Sequence, residues 1–268
     1  MKAAIERVVD GLRASKKYGR LCAGMLGRTA DWAVARSSSH GEALKRAKRK
    51  LHQICGAFVE KKRLAEARRA IEGIDGVCDE RALRAACMEA MAVHASSRER
   101  LGILDRLYPR IFEITGKPST VLDIGCGLNP LTLPWMGLAR DAQYVAIDAD
   151  CEIVSLVSLF FEKMGVRGEA RPADVFAEPP RGRADVVFLL KMLTTLDQQE
   201  KGAGFALLEA LDFAGAVVSY PTRSVCGRQK GMRENYSRRF DGFRERTGRQ
   251  VTRIDLGREL FFVLTERT

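Results

Sequence analysis

The chain has 268 residues, of which 46% are hydrophobic and 29% charged, with a net charge of +11. This composition supports a packed core and excludes wholesale disorder, and the length allows one large or two modest domains. No apolar run reaches the ~18–20 residues of a spanning helix, and Met1–Arg13 lacks the apolar stretch of a secretion signal, so the expected location is the cytoplasm.

Before Pro109–Pro118 no strand is evident. Glu42–Ile54 places Ala43, Leu44, Ala47, Leu51 and Ile54 three or four apart, with Lys45, Arg46, Lys48, Arg49 and Lys50 between them, which predicts an amphipathic helix with a basic outer face. Lys61–Ile71 repeats the pattern, with Arg68 and Arg69 outside. Asp79–His94 and Arg98–Phe112 predict two more helices, the second capped by Ser96 or Ser97. The expectation is an all-helical domain over residues 1–112.

After Pro118 the pattern changes. Thr120–Ile124, Gln143–Ile147, Ala184–Leu190 and Ala214–Ser219 are short apolar runs that predict strands. A weaker one lies at Val166–Arg171, and Leu260–Leu264 predicts a terminal strand. Helices are expected at Glu152–Met164 and Gly202–Leu211. Alternating strands and helices imply an α/β fold with a doubly wound parallel sheet over 113–268.

Charge is segregated along the chain. Residues 1–110 carry 24 Lys and Arg against 13 Asp and Glu, residues 111–222 carry 9 against 15, and residues 223–268 carry 12 against 6. Two basic ends around an acidic middle point to a polyanion partner, nucleic acid above all. Lys16, Lys17, Arg20, Lys48, Arg49, Arg68 and Arg69 are the candidate RNA contacts of the first end. No Trp/Phe/Leu face opposes the basic residues, so a membrane surface is disfavoured. The seven cysteines show no CxxC pair and read as reduced thiols. His52 and Cys55, three apart, fall short of the four ligands of a zinc site, and no metal is expected.

Gly125-Cys126-Gly127 follows the first strand directly, where glycine lets the backbone approach a ligand. Asp148 ends the next strand, at a spacing that suits a carboxylate gripping ribose hydroxyls, and Asp174 follows the weak strand, where it could accept from an adenine amino group. The full dinucleotide pattern and the P-loop are both absent. Past the fourth strand, the stretch from Pro221 to Arg233 mixes glycines, hydroxyls and cations, which suits phosphate contact. Arg223, Ser224, Arg228, Lys230 and Met232 are its candidate RNA-binding residues.

The set of Asp123-Ile124-Gly125-Cys126-Gly127, Asp148 and Asp174 resembles the S-adenosylmethionine site of class I methyltransferases. Further stretches make the resemblance specific. Ser15–Tyr18, Leu51–Phe58, His94–Leu101, Leu122–Pro130 and Pro221–Ser224 through Gly231-Met232 look like the aminoglycoside-resistance 16S rRNA methyltransferases that modify guanine N7 in the decoding site. The similarity runs from about residue 5 to the C-terminus. It implies that Arg100 pairs with the cofactor's methionine carboxylate. It also implies that Gly125, Cys126, Gly127, Asp148, Asp174, Val175 and Leu190 line the cofactor site, with Lys191 and Arg223 positioning the reactants. Leu190-Lys191-Met192-Leu193-Thr194 departs from the family pattern, which has a proline close after the lysine, and this bears on the shape of the base pocket. The implied target is guanine 1405 of the assembled 30S subunit, the implied consequence is resistance to gentamicin- and kanamycin-type drugs, and the expected species is a monomer. The competing readings are a methyltransferase for another rRNA base or for a small molecule, its basic extension serving another partner, and an RNA-binding protein with an inactive cofactor fold, against which the intact loop and both aspartates argue.

Overall fold

A computed structural model describes residues 1–55, 61–74, 79–222 and 232–266. Helices α1 (Lys2–Arg13), α2 (Ala23–Val34) and α3 (His40–Cys55) come first. Each turns a stripe of apolar residues inward, so that Val8 and Leu12, Met25, Leu26, Ala30 and Ala33, and Ala43, Ala47, Leu51 and Ile54 form a core of their own. Helices α4 (Lys61–Glu72), α5 (Glu80–Ala92), α6 (Ala95–Arg100) and α7 (Leu104–Thr115) follow. Their apolar faces belong to a different core, which continues into the sheet through Leu64, Met91, Leu107, Ile111, Val186 and Val217.

The helix expected at Arg98–Phe112 is two helices, separated by a 3-10 turn at Leu101–Ile103. Neither Ser96 nor Ser97 caps it: the N-cap is His94, and buried Ser97 places its hydroxyl 3.1 Å from His94 Nδ1. The break re-aims the chain, so that Arg100 before it and Leu104, Leu107 and Tyr108 after it are all buried.

The sheet has strands β1 (Thr120–Ile124), β2 (Gln143–Asp148), β3 (Gly168–Pro172), β4 (Arg183–Leu190), β5 (Asp212–Pro221), β6 (Gln250–Asp255) and β7 (Glu259–Thr265). Their order is β3-β2-β1-β4-β5-β7-β6. The first five strands in this order are parallel, as expected, whereas β7 runs antiparallel to both β5 and β6. Near-continuous burial of β4 and β5 reflects helices on both faces. The remaining helices are α8 (Leu133–Met136), α9 (Cys151–Met164), α10 (Met192–Asp197), α11 (Ala203–Ala210) and α12 (Met232–Thr247).

The chain leaves β1 toward β2 and later returns on β1's other side as β4. That reversal opens a crevice beyond the carboxyl ends of β1 and β4, the place where open α/β sheets take ligands. No described helix is long and apolar enough to cross a membrane.

Candidate functional site

A cavity of about 310 Å³ occupies this crevice. Its floor is the turn after β1. Gly125 and Gly127 both have left-handed backbones, at φ +64° and +50°. A Cβ on Gly125 would stand 2.5 Å from Met192 Sδ, and one on Gly127 would stand 3.0 Å from His94 Cε1. Glycine is therefore required twice, by conformation and by space. Cys126, between them, does not line the cavity. Its side chain is buried in the core below, which pushes the thiol pKa well above its usual range.

Asp148 closes β2 beside the turn. One carboxylate oxygen accepts from Gly127 N at 2.9 Å and the other from Asp150 N at 2.9 Å. The side chain that faces the cavity thus also fixes the glycine turn. Burial raises its pKa, against the lowering effect of these backbone donors. Val175 and Leu190 add apolar wall, and Lys191 stands at the end of β4.

Asp174 lines the cavity too, but it already has a partner. Arg28 of α2 donates Nε to one oxygen at 2.6 Å and Nη2 to the other at 3.0 Å. The N-terminal helices therefore wall the site, and Leu21, Met25, Ile54 and Cys55 also face the cavity. Arg20 belongs to the same wall. It pairs with Asp150 at 2.8 Å and its side chain is 8% exposed. Its expected RNA contact is corrected on that ground: a cation covered and neutralised by a carboxylate is a strut between segments. Backbone bonds beside it reinforce the join, Cys22 N to Ala149 O and Cys151 N to Arg20 O, each 2.8 Å.

Arg100 lies behind the cavity rather than in its lining. Its Nε donates to both oxygens of Glu259, 3.2 Å each, and its Nη1 donates to Asn129 Oδ1 at 3.0 Å. Nη2 makes no hydrogen bond among the described residues, so one arm of the fork is unused. Asn129 donates in turn to Asp123 at 2.9 Å, and Tyr144 OH donates to the same Asp123 oxygen at 2.7 Å. Burial pushes Asp123 up to about 6, partly offset by these donors. Glu259 also receives the Ser219 hydroxyl and lies 3.5 Å from Lys191 Nζ, which bonds Glu99 on its other side. Lys191 has φ +59°, unusual for a residue with a side chain. Burial, with Arg100 adding repulsion, lowers His94 to about 4, so the imidazole against Gly127 is neutral near pH 7.

Lys16, Lys17, Arg49 and Arg69 are exposed, while Lys48 and Arg68 are half-buried. Lys17 Nζ lies 3.0 Å from His52 Nδ1, and Arg68 donates to Ser155 Oγ at 2.8 Å. Arg223, Ser224, Arg228 and Lys230 lie outside the described residues, and Met232 begins α12.

Sequence reasoning assigned no role to Arg28, Asn129 or Glu259. Glu259 left one signal, a lone carboxylate opening the apolar run Leu260–Leu264.

Residues 14–263 match the model of the FmrO family, the ribosomal RNA methyltransferases. The chain belongs to this family. Within it, the chain is 35% identical over 263 residues to the 16S rRNA (guanine(1405)-N(7))-methyltransferase of Micromonospora echinospora, spanning 97% of this chain and 96% of that one. It is 34% identical over 240 residues to the enzyme of the same description from Serratia marcescens, spanning 89% of each. Among solved structures, the 16S rRNA methylase RmtB superposes with a TM-score of 0.83 at 28% identity over 98% of both chains. The 16S rRNA methyltransferase RmtF, solved in complex with S-adenosyl-L-homocysteine, superposes with a TM-score of 0.82 at 30% identity over the whole of both chains. The class I methyltransferase fold expected from the sequence is the fold of this family member.

Proposed function

We propose that the protein transfers a methyl group from S-adenosylmethionine to N7 of guanine 1405 in the 16S rRNA of the 30S subunit. The observation that carries the reading is the crevice itself: a glycine turn with no room for side chains, flanked by the carboxylates of Asp148 and Asp174 and by apolar Val175 and Leu190. The donor set fits the cofactor. Asp148 offers acceptors to ribose hydroxyls and Asp174 to an adenine amino group, while Nη2 of Arg100, behind the lining, is a donor for a carboxylate. Bound S-adenosylmethionine supplies an electrophilic methyl group.

Guanine N7 has a lone pair and no proton, so the chain needs no general base. Its task is to hold the base in line and exclude water. Lys191, fixed between Glu99 and Glu259 at the end of β4, is a positioning group beside that path. Arg223 is the candidate partner from the following segment. Residues 1–112 would supply the docking surface through Lys16, Lys17, Lys48, Arg49, Arg68 and Arg69, and residues 113–268 the chemistry. Reaching N7 in a recessed site calls for the base to leave its stack. The added positive charge at the decoding site would oppose polycationic 4,6-linked deoxystreptamine drugs, giving resistance to gentamicin- and kanamycin-type compounds and much less to apramycin or neomycin.

Labelled methyl transfer to 30S subunits, naked 16S rRNA and a panel of small metabolites tests the reading. Incorporation into 30S subunits is expected. Incorporation into metabolites alone would replace rRNA as the substrate.

A further inference from the structure

Arg28 stands on a helix of the N-terminal segment, outside the cavity lining, yet its guanidinium is committed to the cavity wall. Besides its two bonds to Asp174, its Nη2 donates to Gln199 Oε1 at 2.7 Å, and its Cζ lies 4.3 Å from the Phe176 ring centre. Phe176 N in turn donates to Asp174 at 3.3 Å. The helix also approaches closely one turn earlier: a Cβ on Gly24 would come within 3.3 Å of Asp174 Cβ. Lys50 of α3 pins the same segment from a second side, donating to the carbonyls of Gln198 and Gln199 at 3.4 and 3.3 Å. Asp174 is left 4% exposed, with its carboxylate plane set by a two-pronged partner.

A carboxylate on an otherwise free side chain can rotate, and it then offers a ligand no fixed acceptor. A guanidinium fork bound to both oxygens removes that freedom, because two parallel hydrogen bonds define a plane. It also compensates the buried charge, while Oδ2 keeps acceptor capacity beyond Arg28 Nε.

We infer that Arg28 is a specificity-determining positioning residue: through its bidentate hold on Asp174 it lets the cofactor site distinguish an adenine bearing its amino group from a purine that lacks it. This rests on the proposed reading that Asp174 meets the adenine. The N-terminal helices are then a working part of the cofactor site as well as a docking surface.

The experiment measures dissociation constants by calorimetry for S-adenosylhomocysteine and its 6-deamino analogue, with the native chain, Arg28→Ala and Arg28→Lys. The native chain should prefer the amino-bearing ligand by about 10- to 100-fold, the range of a hydrogen bond to a charged acceptor. Arg28→Ala should lose most of that preference by weakening the amino-bearing ligand, while its affinity for the deamino ligand stays within about twofold of native. Arg28→Lys keeps the charge but not the fork, and should fall between them. A merely structural role would weaken both ligands equally and keep their ratio, which overturns the inference. No preference in the native chain would instead overturn the Asp174 reading beneath it. If Arg28→Ala does not fold, native discrimination by Arg28→Lys overturns the inference and reduced discrimination supports it.

Discussion

Glu259 and Arg100 lie 159 positions apart in sequence and meet as a buried pair, with both carboxylate oxygens 3.2 Å from one guanidinium nitrogen. The pair joins the antiparallel strand β7 to the end of α6, just behind the cofactor crevice. Through Asn129 it reaches Asp123, and through Lys191 it reaches the end of β4. The positions of Arg100 and Lys191 therefore depend on a carboxylate contributed by the C-terminal hairpin.

Glu259→Gln keeps the shape and removes the charge. It leaves Arg100 buried without its counter-ion, and breaking a buried pair in this way costs about 3–5 kcal/mol. Urea unfolding should show a loss of about 3 kcal/mol. A change under about 1 kcal/mol would mean that the pair does not anchor this corner.

Gly125→Ala combines a left-handed backbone, costing about 1–2 kcal/mol for a side-chain-bearing residue, with a clash against Met192 Sδ. Reduced stability and weaker S-adenosylhomocysteine binding are expected. Adding Met192→Ala should restore part of the binding and little of the stability, since it relieves the clash and not the strain. Full recovery of both would show that the backbone conformation is not limiting.

Asp123 is raised from its ordinary 3.8 to about 6, chiefly by burial. Between these values the folded chain keeps a proton that the unfolded chain has lost. Its contribution to stability is therefore complete below about pH 4 and lost as pH rises through about 6. Asp123→Asn removes this dependence. The native chain's stability relative to the variant should fall by on the order of 2–3 kcal/mol between pH 4 and pH 7. Parallel pH profiles would contradict the assignment.

Charge reversal at exposed Lys16 and Lys17, or at Arg49 and Arg69, should weaken 30S binding while leaving S-adenosylhomocysteine affinity unchanged. Binding of the native chain should fall steeply with salt, as counterion release requires. Filter binding from 50 to 200 mM salt measures both, and a flat salt response would remove these residues from the docking surface.

Much of this was legible in the sequence because the signals were local. The glycine turn and Asp148 each sit at the end of an apolar run, Asp174 follows a weaker, more polar strand, and α3 and α4 declare themselves by apolar spacing. What the sequence hid depends on long-range meetings. Arg20 and Arg28 look like two more cations of a basic segment, and only the fold turns them toward Asp150 and Asp174. Strand β6 has a single buried residue, Ile254, so no alternation marks it. Helix α12, for which no element was expected, carries its signal in Tyr236, Phe240 and Phe243, spaced four and three apart within a strongly charged run.

Borohydride–aniline treatment of 16S rRNA from cells expressing the protein cleaves the chain where N7-methylguanine stands. Methylation of one guanine at N7 predicts a single new cleavage at guanine 1405, absent with an Asp148→Ala variant. Cleavage at another guanine, or none in rRNA that has taken up labelled methyl groups, would contradict it.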